Sequence, residues 1–175
     1  MDADSLHDRD IYAWTEQQAG VLRDLARSRN DLPTDLDLPH IAEEIEDLGI
    51  SELNAVRSFI RLILVHLAKA MSAPDAAPMA HWQEEVANWQ SELLQRITPA
   101  MKTRIDMSKL WQAALRQAGR SLKAHGRELA PVLTGSKSVA NCPIALDDLC
   151  SEDFEFGLGL AKLSVQAPAS SVGRP

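Results

Sequence analysis

Apolar side chains recur every three or four residues along most of the chain, which is the pattern of amphipathic α-helices. The first such segment begins after Asp8, a residue type that caps helices well, and ends at Arg27 and Arg29. A run rich in helix breakers, residues 30–35, separates it from the next segment. The predicted buried face of this first helix consists of Ile11, Trp14, Gln18, Val21 and Leu25.

A second helix is predicted to begin near Asp37 and to run to about Met71, with Pro39 tolerated in its first turn. Gly49 and Ser51 leave an alternative open, because a glycine can end one helix and a serine can cap the next. We expect one continuous helix, since its apolar positions keep a single phase of about 100° per residue. These positions are Ile41, Ile45, Leu48, Val56, Phe59, Ile63 and Leu67.

The third and fourth helices have clearer patterns. A break at Thr98 and Pro99 separates them, and the fourth is predicted to end near Gly126. The apolar positions of the third helix are Met79, Trp82, Val86, Trp89 and Leu93, and those of the fourth are Met107, Leu110, Trp111, Ala114, Leu115, Ala118 and Leu122.

The remaining chain predicts only short elements. Residues 129–143 have the composition of a loop, a short helix is expected over residues 144–150, and the pattern allows another from Phe154 to Val165. Residues 167–175 form a small, polar tail that we expect to be disordered. No segment alternates like a strand. The sequence therefore predicts an all-α fold, a single-domain helical bundle over residues 1–166 with about four main helices and short C-terminal helices.

Composition supports a globular protein of the cytoplasmic type. A chain of 175 residues buries about 70% of its unfolded surface, so it needs no metal or disulfide for stability. The acidic start lacks the basic and apolar regions of a secretory signal. The most apolar run, Phe59 to Met71, is shorter than the ~20 residues of a membrane span. The spacing of Cys142 and Cys150 fits no zinc or redox motif, so we expect reduced thiols.

A metal site in the second helix is one candidate for chemistry. His40, Glu44 and Asp47, with Glu43 beside them, follow spacings of three and four that place imidazole and carboxylate ligands on one flank. Acidic residues also favour a helix N-terminus because they complement its dipole, and this interpretation carries more weight. Neither H-E-x-x-H nor a Glu-x-x-His pair is present.

Polar residues inside the apolar faces are a second candidate. Gln18 lies within the face of the first helix, and Glu52 and His66 lie within that of the second. Buried polar groups need partners, so the three residues either share a network or pocket, or bond separately to backbone and water. We favour separate bonds, because Glu52 and His66 are about 21 Å apart along a straight helix.

Charge is strongly polarised along the sequence. Residues 31–52 hold eight acidic side chains and no Lys or Arg, whereas residues 96–127 hold eight basic side chains and one Asp. A basic stripe can follow a phosphate backbone, but the net charge of −7 disfavours nucleic acid. We expect the two segments to face each other, within one chain or across a homodimer. The candidate basic interaction face of the fourth helix comprises Lys109, Arg116, Arg120, Lys123 and Arg127.

Several short runs carry a resemblance to a known family: Asp10-Ile11-Tyr12-Ala13-Trp14, Leu36-Asp37-Leu38, residues 41–49, Leu64 with His66-Leu67, and Cys142-Pro143. Over roughly residues 8–154 the chain resembles domain-of-unknown-function family 29, which comprises bacterial helical proteins without an established activity. It departs from that family at Ala70-Met71 and at His40, where the family tends to have Asn, and this weakens a metal role for His40. The resemblance implies a helical fold and a bacterial, cytoplasmic location.

The sequence favours a non-enzymatic helical interaction module over an enzyme. It contains no glycine-rich phosphate loop and no nucleophile within reach of a base. We therefore expect a protein partner or self-association, no cofactor and no membrane contact. Two alternatives stay open: a metal-binding bundle or enzyme that uses His and Glu residues of the second helix, and a nucleic-acid binder that uses the basic fourth helix.

The tryptophans of the third helix give a first testable prediction. Trp82 and Trp89 should both be largely buried, so Trp82→Ala should lower the free energy of unfolding by about 3–5 kcal/mol if the cavity cannot collapse. Denaturant melts measure this loss. A loss below about 1 kcal/mol would show that the third helix is peripheral.

Overall fold

The structure is a computed structural model that describes residues 3–29, 31–33 and 35–165. Within these residues the chain forms ten helices and no strand, which confirms the predicted all-α class. None of the described helices is long and apolar enough to cross a membrane. The predicted tail, residues 167–175, lies outside the described residues. The helices are α1 (Ala3–Arg9), α2 (Ile11–Ser28), α3 (Leu38–Ser72), α4 (Met79–Arg96), α5 (Pro99–Thr103), α6 (Met107–Lys123), α7 (Pro131–Thr134), α8 (Ser136–Ala140), α9 (Leu146–Leu149) and α10 (Phe156–Ser164).

The described chain divides into two compact units. The first comprises residues up to Val56 together with Arg96–Ile105, and the second comprises Arg57–Gln95 together with residues from Asp106 onward. Each unit is described separately below. The single domain predicted over residues 1–166 stays a prediction.

In the first unit, helix α2 begins after Asp10. The sequence prediction placed its start after Asp8 and was wrong by two residues. The Asp10 carboxylate is buried and accepts two backbone hydrogen bonds, from Ala13 at 3.0 Å and from Ala100 at 2.9 Å. One side chain therefore caps α2 and holds the start of α5. Asp8 lies inside the short helix α1, which the sequence analysis did not predict.

The buried face of α2 differs from the predicted one by one residue position. Tyr12, Thr15 and Ala19 are buried, whereas Val21 is 54% exposed and Gln18 is only half-buried. A helix turns by about 100° per residue, so the true face is rotated by that angle from the predicted stripe. The prediction was wrong because it followed the large apolar side chains and left out Thr15 and Ala19.

Helix α3 is continuous from Leu38 through Gly49 to Ser72, as predicted. Gly49 is not a helix stop but a contact point, because a Cβ atom added there would lie 2.1 Å from Oγ1 of Thr15. The hydroxyl of Thr15 meanwhile donates to the Tyr12 carbonyl oxygen at 2.8 Å, so this polar group is satisfied while buried. Glycine at position 49 therefore lets α2 and α3 approach closely.

The N-terminal half of α3 also buries a different face from the one predicted. Ile41 and Leu48 are 39% and 48% exposed, whereas Leu38, Ala42 and Leu53 are buried. Small residues occupy the contact with α2, so the larger neighbours point to solvent. In the second unit the predicted phase is correct, since Ile63 and Leu67 are fully buried there; Phe59 is only half-buried.

The core of the second unit is built around α4 and α6. Trp82, Val86 and Leu93 of α4 are buried as predicted, and Trp89 keeps some exposure while most of its surface is buried. Trp111 of α6 is fully buried, and its indole N–H donates to the carbonyl oxygen of Ser138 at 2.6 Å.

The segment predicted as a loop over residues 129–143 contains the short helices α7 and α8. Tertiary bonds hold it in place, including the Trp111 bond described above. In addition, the backbone N–H of Ala130 donates to the Ser72 hydroxyl at 2.9 Å. Helices of four and five residues are too short to give a periodic signal, so the sequence pattern could not reveal them.

The contact at Gly49 makes a stability prediction. Gly→Ala inside a helix normally stabilises by roughly 0.5–1 kcal/mol, but Gly49→Ala should destabilise by about 1–3 kcal/mol because of the collision with Thr15. Gly20→Ala is the matched control, since a Cβ there meets nothing within 4 Å. Denaturant melts should show the opposite sign for the two variants. In a Thr15→Ala background, Gly49→Ala should lose most of its penalty, and an equal penalty in both backgrounds would rule out this contact as the cause.

Candidate functional site

The most buried ionisable cluster of the second unit is centred on His66 of α3. His66 is 9% exposed, and its two ring nitrogens have different partners. Nδ1 lies 3.2 Å from the Leu62 carbonyl oxygen, one turn earlier, and Nε2 lies 2.9 Å from Oε2 of Glu85 on α4. A neutral imidazole carries one N–H only, so it can donate to only one of these two acceptors.

Glu85 is shared between two histidines. His81 lies one turn before it on α4, and its Nε2 is 3.5 Å from the same carboxylate oxygen that contacts His66. Around His66, the rings of Trp82 and Trp89 are in edge contact, with centroid distances of 6.1 Å and 4.9 Å. The site therefore combines a carboxylate, two imidazoles and an aromatic wall.

Lys69 completes the cluster from one turn further along α3. Its Nζ lies 4.4 Å from the centroid of the Trp82 ring, a cation–π contact. Among the described residues, no oxygen forms a hydrogen bond or ion pair with this ammonium group. Desolvation lowers the pKa of Lys69, and the nearby Glu85 opposes this by raising it.

Burial decides the charge state of His66. Desolvation is the largest effect and lowers its pKa, and the charge of Lys69 lowers it further; His81 also contributes in this direction. The Leu62 carbonyl and the Glu85 carboxylate raise the pKa and only partly compensate. His66 is therefore neutral at pH 7, and acid must charge it inside the protein.

A cleft of about 330 Å³ lies beside Lys69 and Trp82, which line part of it. Its apolar wall comes from the end of α3, from the turn before α4 and from Leu122 of α6. Two more basic side chains line it, His125 and Arg127. The full lining is Lys69, Ala73, Ala76, Ala77, Pro78, Trp82, Ser121, Leu122, His125 and Arg127.

The turn after α6 positions the basic side chains of the cleft. Gly126 adopts a φ of +69°, the left-handed conformation that glycine tolerates best, and the chain reverses there. Arg127 then forms two bonds to the carboxylate of Asp75, at 2.6 Å and 3.2 Å. His125 Nδ1 lies 2.9 Å from the Ser121 carbonyl oxygen, so Nδ1 carries the proton and Nε2 is left to meet solvent or ligand.

The three residues of the predicted polar core have different environments. Gln18 is half-buried on α2. Glu52 belongs to the first unit and pairs with Arg96 at 3.2 Å, whereas only His66 is a buried polar residue with partners in the core. The interpretation favoured from the sequence was separate bonds to backbone and water, whereas Glu52 pairs with a side chain and His66 with both a backbone carbonyl and a side chain.

The candidate metal ligands are not brought together. His40 bonds to Asp37, and Glu44 and Asp47 are exposed. Among the described side chains, no group of three or more His, Cys, Asp or Glu residues is placed to hold a metal ion. The metal hypothesis therefore gains no support from this geometry.

Cys142 offers no reactive centre either. Neither Cys142 nor Cys150 forms a disulfide. Burial raises the pKa of Cys142 to about 11, so it is protonated at neutral pH. A protonated thiol is a poor nucleophile, which disfavours a covalent role for this residue.

Charge on the surface is only partly neutralised. Glu52 and Arg96 form one ion pair between the acidic and basic segments, and the facing of the two segments as a whole stays a prediction. Other members pair elsewhere: Lys109 with Asp106, and Arg127 with Asp75. Within the described chain, ion pairs are absent for six exposed residues: Glu43, Glu44, Asp47, Arg116, Arg120 and Lys123.

The sequence analysis missed most of the His66 cluster. It selected His66 but not Glu85, His81 or Lys69. The spacing of four between His81 and Glu85 was a usable signal, as was the spacing of three between His66 and Lys69. Contact between α3 and α4 depends on tertiary packing, which periodicity does not specify.

Comparison with known proteins places this architecture in a family. The sequence model described as "Domain of unknown function DUF29" matches residues 6–155. The chain belongs to the DUF29 family. This confirms the resemblance found in the sequence and extends over nearly the same residues.

A solved structure similar to this DUF29 chain is the crystal structure of an alpha-helical protein of unknown function from Rhodospirillum rubrum. The two chains are 43% identical, and the match covers 90% of this chain and 96% of that one with a TM-score of 0.81. Comparison with curated proteins gives no match. The relatives therefore support the helical fold and name no activity.

The lowered pKa of His66 predicts a pH dependence of stability. The unfolded chain takes up a proton near pH 6.5 more readily than the native state does, so the native state should lose stability as pH falls through that value. Denaturant melts between pH 7.5 and 5 should show a smaller loss for His66→Gln than for the unmutated protein.

His125→Gln is the control for this effect, because that side chain is exposed. It should retain the pH dependence of the unmutated protein. Protonation of His40 has the opposite effect on stability, since Asp37 raises its pKa. This contribution is the same in all three proteins, because each of them contains His40. An identical pH dependence for His66→Gln and the unmutated protein would contradict the assignment.

Proposed function

We propose that this DUF29 chain is a non-enzymatic helical interaction module that self-associates through two complementary charged faces. The acidic face consists of Glu43, Glu44 and Asp47 on α3. The basic face consists of Arg116, Arg120 and Lys123 on α6. The observation that carries the proposal is that both faces are exposed and lack ion pairs within the described chain, and that they have equal and opposite charge.

The basic face has the geometry of a straight stripe. Arg116, Arg120 and Lys123 follow spacings of four and three on α6, so they lie along one line that spans about 10.5 Å. Like charges at this spacing repel each other by roughly 0.2–0.5 kcal/mol per pair. An acidic partner removes this repulsion, which is why the stripe favours association.

Apolar contact accompanies the acidic face. Ile41 and Leu48 lie two turns apart on α3, with Glu44 between them, and both are exposed. Exposed charge pairs contribute about 1 kcal/mol or less each, so burial of these side chains is the larger source of affinity. The charges then select the partner and its orientation.

The two alternatives have weaker support. A nucleic-acid ligand fits the basic stripe, but the whole chain carries a net charge of −7 and would be repelled by a phosphate backbone. The described side chains offer no cluster for a metal site. For location we propose the bacterial cytoplasm, which the two cysteines without a disulfide and the bacterial relative support.

Charge reversal tests the proposal directly. One variant carries Lys at each position of the acidic face, and the other carries Glu at each position of the basic face. Either variant alone should sediment as a monomer at concentrations where the unmutated protein associates, because its two faces then have the same sign. An equimolar mixture of the two should associate again, because each variant supplies the complement of the other. Sedimentation velocity at low salt measures the apparent mass, and 1 M sodium chloride should reduce it.

A third variant controls for net charge. It carries Lys at three other exposed acidic positions and should associate like the unmutated protein. A monomeric unmutated protein at all concentrations, or variants that do not complement each other, would refute self-association. Salt-sensitive binding of a short DNA duplex that is lost in the basic-face variant would instead favour the nucleic-acid alternative. The control positions are Glu152, Asp153 and Glu155.

A further inference from the structure

The cleft beside Lys69 has the features of a small-molecule site that is separate from the two charged faces. Its volume of about 330 Å³ is at the lower end of the range for ligand pockets, roughly 300–1,000 Å³. Alanine, proline, leucine and tryptophan side chains form most of its wall. The polar groups that line it are mainly basic, and this combination restricts the kind of ligand that fits.

The ammonium group of Lys69 is the central polar group of the cleft. It is half-buried against the Trp82 ring, and no described oxygen forms a hydrogen bond or ion pair with it. Every buried side-chain polar atom in the described chain has a partner, so the Lys69 ammonium, which has none, is only partly shielded and still reaches water through the cleft. The donor hydrogens of Lys69 are therefore available to an acceptor that enters the cleft.

The basic side chains around Lys69 are not equivalent. Arg127 already has a carboxylate partner, Asp75, and so contributes little free charge. His125 has one ring nitrogen bonded to the backbone and the other available. An incoming anion would thus meet Lys69 first, with the second ring nitrogen of His125 lining the same cleft.

Glu85 acts on Lys69 through its charge, without a direct bond. Its carboxylate already contacts His66 and His81. Lys69 is therefore partly desolvated and has no contacting counter-ion, so an anion in the cleft would gain a charge-assisted hydrogen bond that no group of the described chain supplies.

We propose that the cleft binds a small amphipathic anion, in which a carboxylate or phosphate group contacts Lys69 and an apolar body covers the alanine and proline wall. A neutral apolar ligand would leave the Lys69 donors unsatisfied. A bare inorganic anion would leave the apolar wall exposed to water. The two parts of the ligand correspond to the two parts of the cleft.

Isothermal titration calorimetry with three probes tests this assignment: phenyl phosphate, benzoate and inorganic phosphate. Phenyl phosphate or benzoate should bind at least tenfold more tightly than inorganic phosphate, because only the first two have an apolar body. Comparison of these two probes distinguishes a phosphate-bearing ligand from a carboxylate. Equal affinity for inorganic phosphate and for the two aromatic anions would overturn the proposal. Absence of binding for all three probes at about 5–10 mM, a concentration above the roughly millimolar Kd of a weak ligand, would overturn it as well.

Two variants change the cleft in different ways. Lys69→Met removes the charge with little change in shape and should weaken binding of the aromatic anions at least tenfold. Ala77→Phe keeps the charge but fills the cleft and should do the same. Lys109→Met is the matched control, because Lys109 is an exposed lysine whose partner is Asp106, and it should bind like the unmutated protein.

Stability is measured alongside binding so that an unfolded variant is recognised. Each variant should retain the helical far-UV spectrum and a cooperative thermal transition. Should Lys69→Met fail to fold, Ala77→Phe and Lys69→Arg still test the site, since arginine should preserve binding. Unchanged affinity in both folded cleft variants would refute the proposal. The result does not depend on the oligomeric state, so it is separate from the test of self-association.

Discussion

The burial of one face of α3 is the constraint on which the other helices depend. An isolated helix gains little stability in water from its own hydrogen bonds, and most of its stability in a protein comes from packing. Helix α3 has 35 residues, so it requires neighbours along its whole length. In the first unit α2 meets it through Thr15 and Gly49. In the second unit α10 approaches it where Gly159 packs against Leu67, with a hypothetical Cβ only 2.9 Å from that side chain.

The same helix also carries a buried titratable side chain, His66. A histidine at position 66 must be kept neutral or supplied with a counter-charge, because burial penalises its charged form. Glu85 supplies the counter-charge from α4, and it is itself partly exposed. Lys69 and Trp82 connect this cluster to the cleft, whose other ionisable lining residues, His125 and Arg127, are basic.

Periodicity predicted helix type and extent well where large side chains form the packing face. Helices α4 and α6 and the second half of α3 have Trp82, Trp111 and Ile63 at buried positions, and the predicted phase was correct there. It failed in α2 and the first half of α3, because Ala19, Ala42 and Gly49 give little hydrophobic signal although they are buried. The site was predicted only through His66, since Glu85 and the cleft arise from contacts between distant parts of the sequence.

The contact between Thr15 and Gly49 also limits how this sequence can change during evolution. Enlargement of residue 49 is tolerated only if residue 15 becomes smaller first, because the hydroxyl of Thr15 fills the space that a new Cβ would need. The reverse order passes through an overpacked intermediate of lower stability. The two positions are therefore coupled, and substitutions at them should appear in pairs and in a preferred order across the family.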